Sequence, residues 1–121
     1  MKRQPNRDKV ALGYTAEQAG DMEAAERFYR DAIADGDAYA YNNLAQLLSE
    51  SGRMREVERL YRKGVSKGDG LAAKNLVLFL LEEGKEAEAM KALKDFKGRM
   101  PRPPTDEELQ GSRDYWEKSQ A

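Results

Sequence analysis

Residues 20–51 and 52–83 align without a gap, and 13 of the 32 positions are identical. The matches include Gly20/Gly52, Glu26/Glu58, Arg27/Arg59, Tyr29/Tyr61, Gly36/Gly68, Asn43/Asn75, Leu44/Leu76 and Leu48/Leu80. The frame runs on in both directions: Leu12 lies 32 residues before Leu44, and Gly84 lies 32 after Gly52. A period in this range marks an array of supersecondary units. One unit cannot bury its own apolar face, so about three must stack to make a core.

Each unit reads as two short helices. Met22, Ala25, Phe28, Tyr29 and Ile33 fall at helical spacing, as do Met54, Val57, Leu60, Tyr61 and Val65. Gly20, Gly52 and Gly84 stand where one helix must stop, because glycine reaches left-handed angles cheaply. Gly-Asp pairs at 36–37 and 68–69 make the alternate turns, with Asp placed to cap the next helix. The pattern predicts helices at 6–19, 22–35, 38–51, 54–67, 70–83 and 86–97, and no sheet. Small residues recur at Gly13, Ala45 and Val77 and at Ala25, Val57 and Ala89, where paired helices would approach closely.

The stretch 43–69, "NLAQLLSESGRMREVERLYRKGVSKGD", resembles the tetratricopeptide repeat family, and its short Gly-Asp junctions resemble the Sel-like relatives. The resemblance implies an all-α solenoid of three antiparallel hairpins over 6–97. Residues 1–5 would then be a flexible N-terminus, 98–104 a Pro-rich linker and 105–121 a capping or docking helix. Phe96 stands where the family has a small residue, so the third hairpin is expected to close differently. The family lines a concave groove with the first helix of each hairpin. By analogy the groove positions are Arg7, Val10, Tyr14 and Glu17, then Tyr39, Asn42, Gln46 and Ser49, then Leu71, Lys74, Leu78 and Leu81. The expected partner-binding set is Tyr14, Tyr39, Asn42, Asn43, Gln46, Lys74, Leu78 and Leu81. The family's clamp for a C-terminal carboxylate would place its cations on Val10, Leu71 and Asn75 and its asparagines on Tyr14 and Asn43. Only Asn43 matches, and without cations a free carboxylate has little charge-assisted hold.

Composition removes other functions. The net charge is −1, so attraction of the whole chain to nucleic acid or anionic lipid is not expected. With no Cys and no His there is no disulfide, no thiol nucleophile, no His base and no Cys/His zinc site. Neither cofactor nor metal is expected, and nothing assembles nucleophile, base and orienter, so the chain reads as a non-enzyme. Residues 1–9 carry positive charge without a following apolar core, so they are not a signal peptide. The longest apolar run, Leu76–Leu81, is far too short to span a membrane. A cytoplasmic protein is the default. Met1 and a degenerate third repeat suggest a complete short array.

Three local motifs have ordinary explanations. "GDGLAA", 68–73, mimics a phosphate loop, but a helix precedes it and that motif needs a strand. Residues 85–104 carry six cations against three acids. Only one aromatic, Phe96, stands among those cations, so nucleic acid is a minority reading. Glu82-Glu83 and Glu107-Glu108 are adjacent on helices and do not face each other.

The last stretch poses the sharpest question. Thr105 precedes Glu108 by three, a capping box, and Leu109, Ser112, Tyr115 and Trp116 could share a face. Gly111 weakens that helix by about 1 kcal/mol. A solenoid end must be covered. The usual cap would pack on helix 86–97 through Met90, Leu93 and Phe96. Yet 70–83 has Leu78 and Leu81 where the previous repeat has Gln46 and Ser49. That second apolar surface needs cover from a partner peptide or helix, a second copy of the chain, or residues 105–121.

Overall fold

The computed structural model describes residues 5–121, with side chains from Lys9 onward. Of the expected flexible N-terminus, residues 1–4 lie outside the described residues, as does the side chain of Arg7. The described residues form α1 (Pro5–Gln18), α2 (Met22–Ala34), α3 (Tyr39–Ser49), α4 (Met54–Ser66), α5 (Gly70–Glu82), α6 (Glu86–Phe96) and α7 (Asp106–Ser119). A 3-10 turn, Lys97–Arg99, follows α6. No strand occurs among them. The six helices expected from the repeat lie within two residues of these bounds.

Glycine sets the helix lengths. Gly20, Gly36, Gly52, Gly68 and Gly84 stand 16 residues apart, with φ between +75° and +95°. After each, the next residue donates its N–H to the carbonyl five positions back: Asp21 to Ala16, Asp37 to Ala32, Arg53 to Leu48, Asp69 to Gly64 and Lys85 to Leu80. This bond closes a helix end around a left-handed residue. The following helix is then capped. Asp21 Oδ1 accepts from Ala24 N at 3.1 Å, Asp37 Oδ1 from Tyr39 N at 2.9 Å and Asp69 Oδ1 from Leu71 N at 3.0 Å.

The chain divides into two compact units, residues 1–60 and 61–121. In the first, α1 packs on α2 and α2 on α3. Tyr29 is 1% exposed, and its ring lies directly against Gly13, where a Cβ would come within 2.5 Å of Cε1. Its hydroxyl donates to Glu17 Oε1 at 2.6 Å. Burial, reinforced by that carboxylate, pushes the phenol well above the ordinary tyrosine range. Ala25, Ala32, Ala40, Leu44, Ala45 and Leu48 complete the core of this unit. Each fully buried leucine contributes about 1.5–3 kcal/mol.

A closed ring of charge ties α2 to the start of α4. Arg30 Nη2 lies 2.8 Å from Glu26 and 2.7 Å from Glu56, while Arg53 lies 3.0 Å from Glu26 and 2.9 Å from Glu56. Partial burial opposes ionisation of Glu26, but hydrogen bonds from both arginines hold its carboxyl below the usual range. Hydrogen bonding from Arg30 does the same for Glu56. Both groups stabilise the fold above the ordinary carboxylate pKa and lose that contribution as pH falls. One frame later the sequence has Glu58, Arg62, Lys85 and Glu88, the same four signs.

In the second unit α5 is the centre. Ala72, Ala73, Leu76, Val77, Leu80 and Leu81 are at most 2% exposed. The Phe79 ring stands 6.0 Å from that of Tyr61, tilted by 60°. Helix α6 lies along α5 with Ala89 and Ala92 inward. At Phe96, where the third hairpin was expected to close differently, α6 gives way to the 3-10 turn, and the Arg99 guanidinium sits 5.9 Å over the Phe96 ring.

Candidate functional site

The groove positions of the first unit fall into two groups. Tyr14 and Tyr39 are 60% and 69% exposed, and Gln46 is also exposed. Val10, Glu17, Asn43 and Ser49 are half-buried. Ser49 donates its hydroxyl to the Gln46 carbonyl at 2.7 Å. Asn42 is 4% exposed, so it is an interior side chain of α3 and does not fit a surface contact. Ala40, Asn42, Leu44, Ala45, Leu47 and Leu48 are all buried, and they occupy most of the helix circumference.

On α5 the expected groove face is covered. Leu71, Lys74, Leu78 and Leu81 succeed one another at three- and four-residue spacing along one stripe, with Glu82, four residues after Leu78, at its edge. Leu81 is 1% exposed and Leu78 half-buried, so Leu81 does not fit an open contact surface either. The cover is the tail: α7 packs along α5. Lys74 Nζ lies 3.1 Å from Glu108, and the Ser112 hydroxyl donates to Glu82 Oε2 at 3.3 Å. Leu78 and Leu81 lie between those two anchors. Leu109 and Ser112 are buried on α7. The expected cap on α6 through Met90, Leu93 and Phe96 is replaced by this seat on α5. Arg113 reaches α6, bonding Glu86 at 2.8 Å and touching Met90 Sδ at 3.6 Å.

Two glycines make the seat possible. A Cβ on Gly84 would overlap the indole of Trp116, which lies flat on the turn between α5 and α6. A Cβ on Gly70 would overlap the carbonyl of Arg99 and the ring of Pro101. Gly70 replaces the in-frame Ala38, and it is the second glycine of the phosphate-loop mimic. Its physical role is to let the linker cross the start of α5. Beside that crossing Leu71 stays 47% exposed, in a cleft of about 520 Å³ that Lys74, Pro101 and Arg102 also line. At the head of α7 the capping box is complete. The Thr105 hydroxyl accepts from Glu108 N at 3.1 Å, and Glu108 Oε1 accepts from Thr105 N at 3.0 Å.

The tail's two carboxylate contacts pull in opposite directions with pH. The Thr105 N–H and then Lys74 hold Glu108 below the usual carboxylate range, so that contact is lost as pH falls. Burial pushes Glu82 up, against the Ser112 hydrogen bond and with Glu83 adding to the rise. A raised folded pKa means that ionising Glu82 withdraws stability as pH climbs through it, an effect absent below the ordinary value of 4.5. The same half-buried carboxylate, second to burial of the phenol itself, helps push the Tyr61 hydroxyl up to about 12. Glu82→Gln keeps an acceptor for Ser112 and removes the charge. It is expected to raise Tm near neutral pH by roughly 2–4 °C, the scale of modest polar changes in a domain of this length. In thermal melts at pH 4 the gain should vanish. A gain independent of pH would contradict the burial argument.

Tetratricopeptide repeat models match residues 9–34, which span most of α1 with α2, and residues 40–73, which span α3, α4 and the start of α5. The matches support a tetratricopeptide repeat family. No curated protein matches the chain. Tetratricopeptide repeats generally mediate protein–protein interactions and are typically non-catalytic. Among the described residues no helix is long and apolar enough to cross a membrane.

Proposed function

We propose that this chain is a non-catalytic adaptor of the Sel-like kind that binds a peptide or helix of a protein partner through the first helices of its repeats. The observation carrying this reading is the exposure of Tyr14 and Tyr39, at 60% and 69%. Tyr39 stands on a helix that is buried over most of its circumference, and Tyr14 stands next to Gly13, the α1 residue against which the Tyr29 ring packs. Tyrosine is over-represented among residues that dominate binding energy, because it brings large contact area at small entropic loss. Gln46, exposed two turns along the same helix as Tyr39, offers a hydrogen-bonding amide.

The test is a photo-crosslinking amino acid placed at position 14, 39 or, as reference, 27 on the exposed side of α2. Positions 14 and 39 should give the same discrete protein adduct, and position 27 should not. The double change Tyr14→Ser/Tyr39→Ser should weaken binding of that partner at least about tenfold, or 1.4 kcal/mol, with the helical circular dichroism unchanged. Adducts of equal yield at all three positions would refute the surface.

A further inference from the structure

We propose that α7 is a displaceable occupant of the α5 face, and that this face receives an acidic amphipathic helix of a protein partner patterned as α7 is. The proposal deepens the protein-interaction reading above and rests on it. The site is the Lys74–Leu78–Leu81 stripe ending on the Gly84 turn. The pattern is a carboxylate for Lys74, leucine one residue on, a small polar residue at the fourth and an aromatic ring at the eighth, as in Glu108, Leu109, Ser112 and Trp116.

Three observations make the cover releasable. First, the anchorage is in two parts. Met100 is 6% exposed and Pro101 sits on Gly70, so the linker stays attached independently of the helix. Beyond it, α7 buries a single large apolar side chain, Leu109, while Trp116 remains 37% exposed and Tyr115 60%. Second, Gly111 sits in mid-helix where a Cβ would meet nothing within 4 Å. Packing does not require glycine there, and it weakens the helix by about 1 kcal/mol. Third, Ser112 seats over the half-buried Glu82 carboxylate, a contact that an apolar pair would better. A permanent cap would share none of these features. Against them, the short linker holds the tail at a high effective concentration, on the order of mM, which keeps the face closed until a matching helix arrives.

The chain's one tryptophan reports the state directly, because Trp116 lies on the seat. The probe is a synthetic peptide of residues 105–121 with Trp116→Phe, added to the full-length chain. Expected is a saturable red shift of Trp116 emission and greater acrylamide quenching, with no effect from a peptide that also carries Leu109→Ser. In the full-length chain, Gly111→Ala should raise the peptide concentration at half-displacement about fivefold, the equivalent of glycine's helix penalty of about 1 kcal/mol. Thr105→Ala, which removes the cap without touching α5, should lower it by a similar factor.

Emission unmoved in the parent chain, with Gly111→Ala and Thr105→Ala indistinguishable, would overturn the proposal in favour of a fixed cap. Concentration-dependent dimerisation that Thr105→Ala enhances would overturn it in favour of tail exchange between copies. Crosslinks from positions 14 and 39 persist in either case if only this proposal fails, so the two readings fail separately.

Discussion

Tyr29→Ala is expected to be the most damaging single change in residues 1–60, destabilising the chain by about 3–5 kcal/mol. The ring is 1% exposed, and Gly13 gives up its own side chain to make room for it. That exchange makes the loss severe. With the ring gone, α1 and α2 face each other across a void that glycine cannot fill, and Glu17 loses the hydroxyl 2.6 Å away. Domains of this size are stable by about 5–15 kcal/mol, so the variant should unfold at a markedly lower urea concentration, followed by circular dichroism. Tyr29→Phe keeps the packing and removes only the hydrogen bond, for which about 1.5–3 kcal/mol is the scale when the acceptor is charged. Gly13→Ala should fall between the two, because the buried ring has no room to move aside. If Tyr29→Phe proved as damaging as Tyr29→Ala, the packing argument would fail and the Glu17 contact would carry the hairpin.

The helix boundaries were legible because they are written in glycine. Five turns 16 residues apart need a left-handed residue, and only glycine takes that conformation without strain, so the period shows in the sequence. The repeated core was legible for a related reason: Leu44/Leu76 and Leu48/Leu80 recur in frame and are all buried. The side chains of α3 were harder. A one-face rule puts Asn42 in solvent, yet a helix packed over most of its circumference has no single polar face, and polarity then stops predicting exposure. The substitution of Gln46 by Leu78 and Ser49 by Leu81 showed that something covers α5. It did not show what, because composition distinguishes poorly between a partner and a tail. One signal was available. Gly70 breaks the frame at Ala38, and a glycine that departs from its repeat marks a close backbone approach. Read so, "GDGLAA" points to the linker's path. Gly84 gave no such sign, since the turn already demanded glycine there and the contact with Trp116 was hidden behind that demand.

That double demand yields the second large effect. Gly52 and Gly84 are equivalent turn residues, with φ of +77° and +75°. Alanine at either is strained by about 1–2 kcal/mol, the cost of a left-handed side chain. At Gly52 nothing lies within 4 Å of the added Cβ, so Gly52→Ala should show the backbone strain alone. At Gly84 the Cβ meets the indole, and Trp116 must lift. The tail yields sooner than the turn, because the turn is fixed by Lys85 N bonding Leu80 O at 2.8 Å while Leu109 is the one large apolar side chain that α7 buries. Gly84→Ala should therefore lose a further 1–2 kcal/mol or so, the worth of a partly buried large side chain. It alone should red-shift Trp116 emission. Urea titration of the two variants, read by circular dichroism and by fluorescence, separates the outcomes. Equal losses with unchanged emission in both would mean that Trp116 does not rest on the turn, and that Leu78 and Leu81 owe their burial to something other than α7.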